Sequence, residues 1–308
     1  MSNRGTTLKE IGEFGLIARI GKWARCDRSV LCGIGDDAAV LRGDLKQDLL
    51  LAADMLIEDR HFRIGEATPF EIGWKAVAVN ISDIAAMGGV PRHLVVSVGL
   101  PDSLSLDFIG RMYRGMRAVS RLYGVNLVGG DTNRADRLVV SVAILGEVPR
   151  GRAVLRSGAR AGDVIFVTGG LGGSYRSGKH LRFRPRLKES RFLVRRFGPH
   201  AMIDVSDGVA SDLRRICEAS HVGAVLSHEA IPLNPGVPSV ERALGDGEDF
   251  ELLFCLPPGK AARLAAHPPK GLGPFHPIGK IVPKSLGVKI LREGRVPRDL
   301  GEGFDHFK

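Results

Sequence analysis

HLVVSVGLPDSLSLDFIGRMYRGMRAVSRLYGVNLVGGD (93–131) carries two periodicities in turn. HLVVSVGL (93–100) has the β-branched, alternating character of a strand, and the apolar residues of 106–123 recur at helical spacing. VNLVGGD (125–131) reads as a second strand running into a glycine turn. The same alternation extends in both directions. Upstream, residues 8–23 have helical spacing, GIGDD (33–37) is a glycine-rich bend leading into AAVL, and LLLAAD (49–54) reads as a buried strand ending in an acid. Residues 68–87 predict a tightly packed helix, with Thr68, Pro69 and Glu71 as its start signal, the small-residue run AVAVNISDIAAMGG (76–89) as its body, and Gly88 and Gly89 as its stop. Downstream, RLVVSVAILGEV (137–148) is a strand, and PRGRAVLRSGARAGD (149–163), rich in Gly and Arg, marks a boundary. Beyond it come VIFVTGG (164–170), a basic helical stretch, MIDVSDG (202–208), a helix over 209–220, GAVLS (223–227), FELLFCL (250–256), a helix over 259–266 and two last strands. Alternating elements in both halves predict two α/β domains, 1–149 and 150–308.

A chain of 308 residues, 44% hydrophobic and 25% charged, has material for two cores. No apolar run approaches the roughly 18 residues of a membrane span. Lys9, Glu10, Glu13 and Arg19 interrupt the apolar residues near the start, unlike a secretory signal, and Cys26, Cys32, Cys217 and Cys255 form no CxxC pair. Both features predict a cytoplasmic protein with reduced thiols. The net charge of +10 is concentrated between Arg150 and His200, where thirteen Lys or Arg face two acids. A solvated basic surface, the edge of a site for a small anion, and a nucleic-acid surface would each explain that segment, with nucleic acid the least favoured.

The aspartates are the most informative residues. Asp36 and Asp37 sit in a glycine bend, Asp54 ends an apolar strand, and Asp83 interrupts a small, apolar helix. Asp131 follows two glycines, and Asp204 and Asp207 flank Ser206 at a strand-to-helix turn. Any one of them could be a cap or turn residue. Jointly they repel, by roughly 4 kcal/mol per pair at 4 Å and an effective dielectric near 20, so they can converge only around cations. A ligand set of hard oxygens without His or Cys suits Mg²⁺, which commonly completes its shell with substrate phosphates. A polyphosphate substrate is implied, yet there is no GxxxxGK[ST] and no kinase HRD or DFG set. TGGLGGS (168–174) could cradle phosphate or be a plain turn.

GIGDDAAVL (33–41), AADMLIEDRHF (52–62), KAVAVNISDIAAMGGVP (75–91), GGDTNR (129–134), LRSGARAGD (155–163), IDVSDGVASDL (203–213), GEDFELLF (247–254) and GFDHF (303–307) together resemble the thiamine-monophosphate kinase family, in order and over nearly the whole chain. GIGDD and NISDIAAMG are shared with aminoimidazole ribonucleotide synthetase and selenophosphate synthetase, whereas His61, the GED and the closing GFDHF point to the thiamine family. The resemblance implies a two-domain aminoimidazole ribonucleotide synthetase-like fold with mixed sheets, and a homodimer built on the N-terminal domain. It implies ATP-dependent phosphorylation of thiamine monophosphate to thiamine diphosphate with several Mg²⁺ ions. By motif position, Asp37, Asp54, Asp83, Asp131, Asp204 and Asp207 would hold metal, and Gly130, Asp131, Arg156, Ser206 and Tyr113 would contact ATP. His61, Glu248 and Phe304 would contact the thiamine phosphate. The acceptor's phosphate oxygen, ionised near neutral pH, needs no general base.

Three departures from the family pattern stand out. Ala52 and Ala53 occupy positions that usually carry Ser or Thr, the usual GGED is DGED with Asp246 beside Glu248, and the segment 172–200 is unusually basic. Asp212 is expected on a helix surface, and Trp23 and Trp74 in a core or interface. Other acceptors of the superfamily and a basic nucleic-acid-binding protein are the competing readings.

Overall fold

The computed structural model describes residues 8–23 and 27–300. In the first half, α1 (Leu8–Trp23), β1 (Val30–Cys32), β2 (Ala39–Leu41) and β3 (Gln47–Ile57) precede α2 (Pro69–Ala86). They are followed by β4 (Val90–Leu100), α3 (Leu106–Tyr123), β5 (Asn126–Arg134) and β6 (Val139–Pro149). The strands form one sheet in the order β1-β2-β3-β6-β4-β5. β4 and β5 are parallel across α3, and β6 runs antiparallel between β3 and β4.

The helix α2 organises this half. Thr68 and Glu71 form a reciprocal capping box and Pro69 opens the first turn, as the start signal predicts. Two glycines set its contact with α3. A Cβ on Gly73 would lie 1.9 Å from the Met112 carbonyl, and one on Gly115 1.9 Å from that of Phe70, so the helices touch backbone to backbone. The apolar side of α2 is buried with Leu50, Leu94, Val96, Val142 and Ile144 of the sheet. The opposite sheet face is open and apolar, with Leu51, Met55, Val95 and Val128 between 40% and 62% exposed.

In the second half, β7 (Val164–Thr168), α4 (Ser174–Ser177), α5 (Lys179–Arg182), α6 (Leu187–Arg196), β8 (Ala201–Asp204), α7 (Val209–Ser220) and β9 (Val222–Ser227) come first. Then follow α8 (Val240–Gly245), β10 (Leu252–Leu256), α9 (Pro258–Ala266), β11 (Phe275–Pro283), β12 (Val288–Leu291) and β13 (Arg298–Asp299). These strands form a mixed sheet, β13-β12-β9-β11-β7-β10-β8, in which the β12–β9 pair is parallel. The segment 149–163 lies between the two sheets.

Two strand ends differ from expectation. β3 continues past Asp54 to Ile57, with Asp54 opposite Val142, so the acid lies inside the strand. β5 continues through Gly129 and Gly130 to Arg134 rather than turning there. A Cβ on Gly130 would sit 1.8 Å from the Val96 carbonyl, so this glycine serves close strand approach. β1, β2 and α8 were too short to register as periodic segments.

The basic stretch ties the halves together. Arg182 pairs with Glu71 on α2, Arg191 donates to the Gly88 carbonyl at 2.5 Å, and Trp74 Nε1 donates to the Phe183 carbonyl at 2.8 Å. Arg186 grips the buried Glu251 through two nitrogens at 2.6 and 2.9 Å, with Lys179 3.0 Å away. Trp74 is thus half-buried between the halves, as expected. The Trp23 side chain lies outside the described residues.

Candidate active site

A cleft of about 450 Å³ opens between the two sheets, and the acids converge on it. Asp36 and Asp37 come from the bend before β2, Asp54 from β3, Asp83 from α2, Asp204 from the end of β8, and Asp207 from the turn into α7. Carboxylate oxygens of Asp37, Asp83 and Asp204 lie within 4.8 Å of one another. Burial first, then the neighbouring acids, lifts the affinity of Asp54, Asp83 and Asp204 for protons. Asp54 is raised to about 6 and Asp204 to about 7, and Asp83 well above the ordinary carboxylate range. Asp36 is raised to about 6 by burial and by Asp37. Asp54 and Asp83 share a hydrogen bond, the means by which two adjacent carboxyls hold one proton. Asp37 Oδ2 is buried without a hydrogen-bond partner.

Supporting groups orient the acids. Ser82 Oγ donates to Asp204 Oδ2 at 2.6 Å, and Asn80 Oδ1 accepts from the Asp54 amide at 3.2 Å while its Nδ2 donates to the Ala76 carbonyl. Arg156 reaches from the connector, with its guanidinium 2.7 Å from Asp37 Oδ1 and its amide donating to Asp36 Oδ2 at 3.0 Å. Ala53 lines the cleft without a side-chain oxygen. Asp212, expected on the helix surface, is fully buried instead. It accepts from the Asp207 amide at 3.2 Å and so braces the Asp204–Asp207 turn, a role its position in the first turn of α7 makes possible.

His61 and Glu248 line another wall of the cleft, with Tyr175 and Phe250. His61 Nδ1 accepts from the Ile57 amide at 3.0 Å, which places the neutral ring's proton on Nε2. Ser206 faces the same space, and its carbonyl accepts from the Glu248 amide at 2.6 Å. Asp246 does not reinforce the charge of Glu248: it pairs with Arg242 at 3.0 Å and accepts from the Gly173 amide at 3.0 Å. Asp249 takes the Gly172 amide at 2.7 Å and the Ser174 hydroxyl at 2.5 Å. The amides of Gly172 and Gly173 in TGGLGGS are therefore bound by carboxylates of the chain itself, and this loop is a structural turn rather than a phosphate cradle.

Three expected site residues lie elsewhere. Asp131 is aligned with Ser97, Ser141 and Met55 across the sheet, which puts its side chain on the open face, opposite the side that α2 covers. Gly130 is exposed beside it, and Tyr113 on α3 packs half-buried against the first core. None of the three lines the cleft. Phe304 and the GFDHF motif lie outside the described residues, as does Cys26. Lys75, Asn80 and Ser82 were not anticipated. Their one sequence signal is polarity within the apolar run of α2, with Asn80 three residues before Asp83.

Comparison with known proteins identifies the family of the chain. The AIR synthase related protein N-terminal domain matches residues 35–148, and the AIR synthase related protein C-terminal domain matches residues 160–290. The thiamine-monophosphate kinase of Bacillus subtilis (strain 168) is 36% identical, over 96% of this chain and 99% of that protein. That of Escherichia coli (strain K12) is 35% identical, over 96% and 98%. The structure of AaThiL complexed with AMPPCP and TMP superimposes with a TM-score of 0.84 at 30% identity, covering 99% of this chain and all of that one. The Aquifex aeolicus thiamine monophosphate kinase superimposes with a TM-score of 0.78 at 29% identity, covering 96% of this chain. Matched over nearly its full length in sequence and in fold, the chain belongs to the thiamine-monophosphate kinase family.

Proposed function

We propose that this chain is a thiamine-phosphate kinase, transferring the γ-phosphoryl group of ATP to thiamine monophosphate and forming thiamine diphosphate. The observation that carries this reading is the convergence of Asp37, Asp83 and Asp204, from three separate elements of both halves, in one cleft. The binding of AMPPCP, an ATP analogue, and TMP by a relative of the same fold supports the choice of substrates.

The donor set fits Mg²⁺. It is all oxygen, burial and the neighbouring acids raise the proton affinity of Asp54, Asp83 and Asp204, and the buried Asp37 Oδ2 has no hydrogen-bond partner. Asp37, Asp54, Asp83, Asp204 and Asp207 would hold the ions, which when bound shield the two anionic substrates and stabilise charge on the leaving ADP. Arg156, beside Asp37 and at the edge of the cleft, is placed to clamp phosphate. Ser206 would contact ATP, and His61 and Glu248 would orient the acceptor from the opposite wall. A phosphate oxygen is the nucleophile, so no side chain need remove a proton.

Asp131, with Gly130 beside it, enters this reading through a homodimer of the N-terminal half; nothing in the fold brings Tyr113, on the helix-covered side, to the same site. The open, apolar sheet face supports that assembly, because an exposed patch of this kind is characteristic of an interface. Asp131, on that face, would serve a site completed by two copies. The ion pairs made by Arg182, Arg186 and Lys179 within the chain weigh against a nucleic-acid surface there. No described helix is long and apolar enough to cross a membrane, and the free thiols of Cys32, Cys217 and Cys255 suit a cytoplasmic setting. The test is ³¹P NMR of the protein with ATP, Mg²⁺ and a panel of acceptors. Thiamine diphosphate resonances, distinct from those of ADP, are expected with thiamine monophosphate, and no phosphorylated product with free thiamine. Turnover of another phosphate ester in its place would reassign the acceptor.

A further inference from the structure

Lys75 lies on α2, eight residues before Asp83 and hence about two turns away along the helix. It is fully buried, which a lysine tolerates only when its charge is matched. Its Nζ donates to Glu248 Oε1 at 2.5 Å and to the His61 carbonyl at 2.8 Å. It also lies 3.0 Å from His180 Nδ1, and that nitrogen is 3.0 Å from Glu248 Oε2. The His180 ring stacks on Tyr175, a cleft residue, with centroids 4.8 Å apart.

The other partner of this cluster is held in an unusual shape. Glu248 has φ 63° and Phe250 has φ 50°, in the left-handed region that non-glycine residues seldom occupy. Backbone bonds from Glu248 to Ser206 and from Phe250 to Val205 pin the turn, and Lys75 pins the side chain. The Glu248 carboxylate keeps about a quarter of its surface open to the cleft (24%), with a second lone pair on each oxygen still available.

We propose that Lys75 is a positioning and specificity residue for the acceptor. From one buried ammonium it fixes both the Glu248 carboxylate and the His61 main chain. Because it shares α2 with Asp83, it also sets the distance between the acceptor-binding wall and the acids. The ligand class that such a wall takes is a cationic heteroaromatic phosphate ester, and the assignment rests on His61 and Glu248 being acceptor contacts.

The experiment is a double-mutant cycle of Lys75→Met and Glu248→Gln, read by KM for each substrate and by calorimetric binding of thiamine monophosphate to the full chain. Each single substitution is expected to raise the acceptor KM and Kd at least tenfold while the ATP KM stays within twofold. The double variant should be no worse than the weaker single, because both changes remove the same device. Lys75→Met strands a buried carboxylate and can fail to fold. The double variant removes both charges, so its comparison with Glu248→Gln alone decides that case. Equal acceptor affinity supports the proposal, and a further tenfold loss overturns it. A folded Lys75→Met protein with unchanged acceptor KM, or equal losses for ATP and acceptor, also overturns it. If the unmutated chain forms no thiamine diphosphate, the kinase reading fails. If it does and Lys75 proves silent, only this inference fails.

Discussion

Asp83→Asn is expected to stabilise the metal-free protein while abolishing its response to Mg²⁺. Oxygens of Asp37, Asp83 and Asp204 lie within 4.8 Å of one another. Two unit charges at that separation repel by roughly 3.5 kcal/mol at an effective dielectric near 20. Burial first and the neighbouring Asp37 next raise Asp204 to about 7, so retained protons relieve part of this repulsion. An asparagine at 83 cannot ionise and can still donate to Asp54, so the variant avoids the cost of ionising a second acid beside Asp54 and Asp204, and a net gain of up to about 2 kcal/mol is expected at pH 8 in EDTA. For a protein of this size that is a rise of roughly 3 °C in Tm. At pH 5.5, where the acids hold protons in either protein, the difference should shrink below about 1 kcal/mol. Excess Mg²⁺ should raise the Tm of the unmutated protein and leave that of the variant nearly unmoved. Differential scanning fluorimetry at both pH values, with EDTA and with Mg²⁺, measures all four states. A variant that is destabilised equally at pH 5.5 and 8 in EDTA, or that keeps the full Mg²⁺ shift, would refute the reasoning.

Asp54→Asn should lower turnover at least about a hundredfold with the fold intact, as followed by steady-state kinetics and circular dichroism, since it removes a preorganised charge at the phosphoryl groups. The metal-free protein should lose stability as pH rises from about 4 to 7. Asp36, Asp54 and Asp204 have folded-state values raised to about 6, 6 and 7, so the folded state binds more protons than the unfolded state across that window. By the same linkage the Mg²⁺-induced shift in Tm should grow from pH 5.5 to 8, and an Mg²⁺ shift independent of pH would count against it. Gly73→Ala should cost several kcal/mol in urea unfolding, because its Cβ would meet the Met112 carbonyl at 1.9 Å. Phe304→Ala, with His61→Ala, should raise the acceptor KM several-fold and leave the ATP KM nearly unchanged, as initial-rate measurements would show.

The elements with strong local signals were legible in the sequence. The α3 helix occupies 106–123 and α7 occupies 209–220, as their spacing predicts, and the α2 start signal is realised as a capping box. The acids could also be read, because carboxylates inside apolar elements conflict with their surroundings unless something binds them. What could not be read depends on contacts distant in sequence. Asp212 looks like an ordinary first-turn acid, and only the fold of the Asp204–Asp207 turn over it makes it buried. The excess of Arg and Lys over 150–200 suggested a surface, yet Arg186 and Lys179 meet Glu251 more than 60 residues away. The face on which Asp131 lies is fixed by the register of β5 on β4, and spacing along one strand does not disclose it.

The most direct test is single-turnover formation of thiamine diphosphate from thiamine monophosphate and ATP, followed by chromatography in Mg²⁺ and in EDTA, for the unmutated chain and Asp204→Asn. One thiamine diphosphate per ADP in Mg²⁺, none in EDTA, and a loss of at least about a hundredfold in the variant are predicted. ADP released without thiamine diphosphate, or equal product formation in EDTA, would contradict the account.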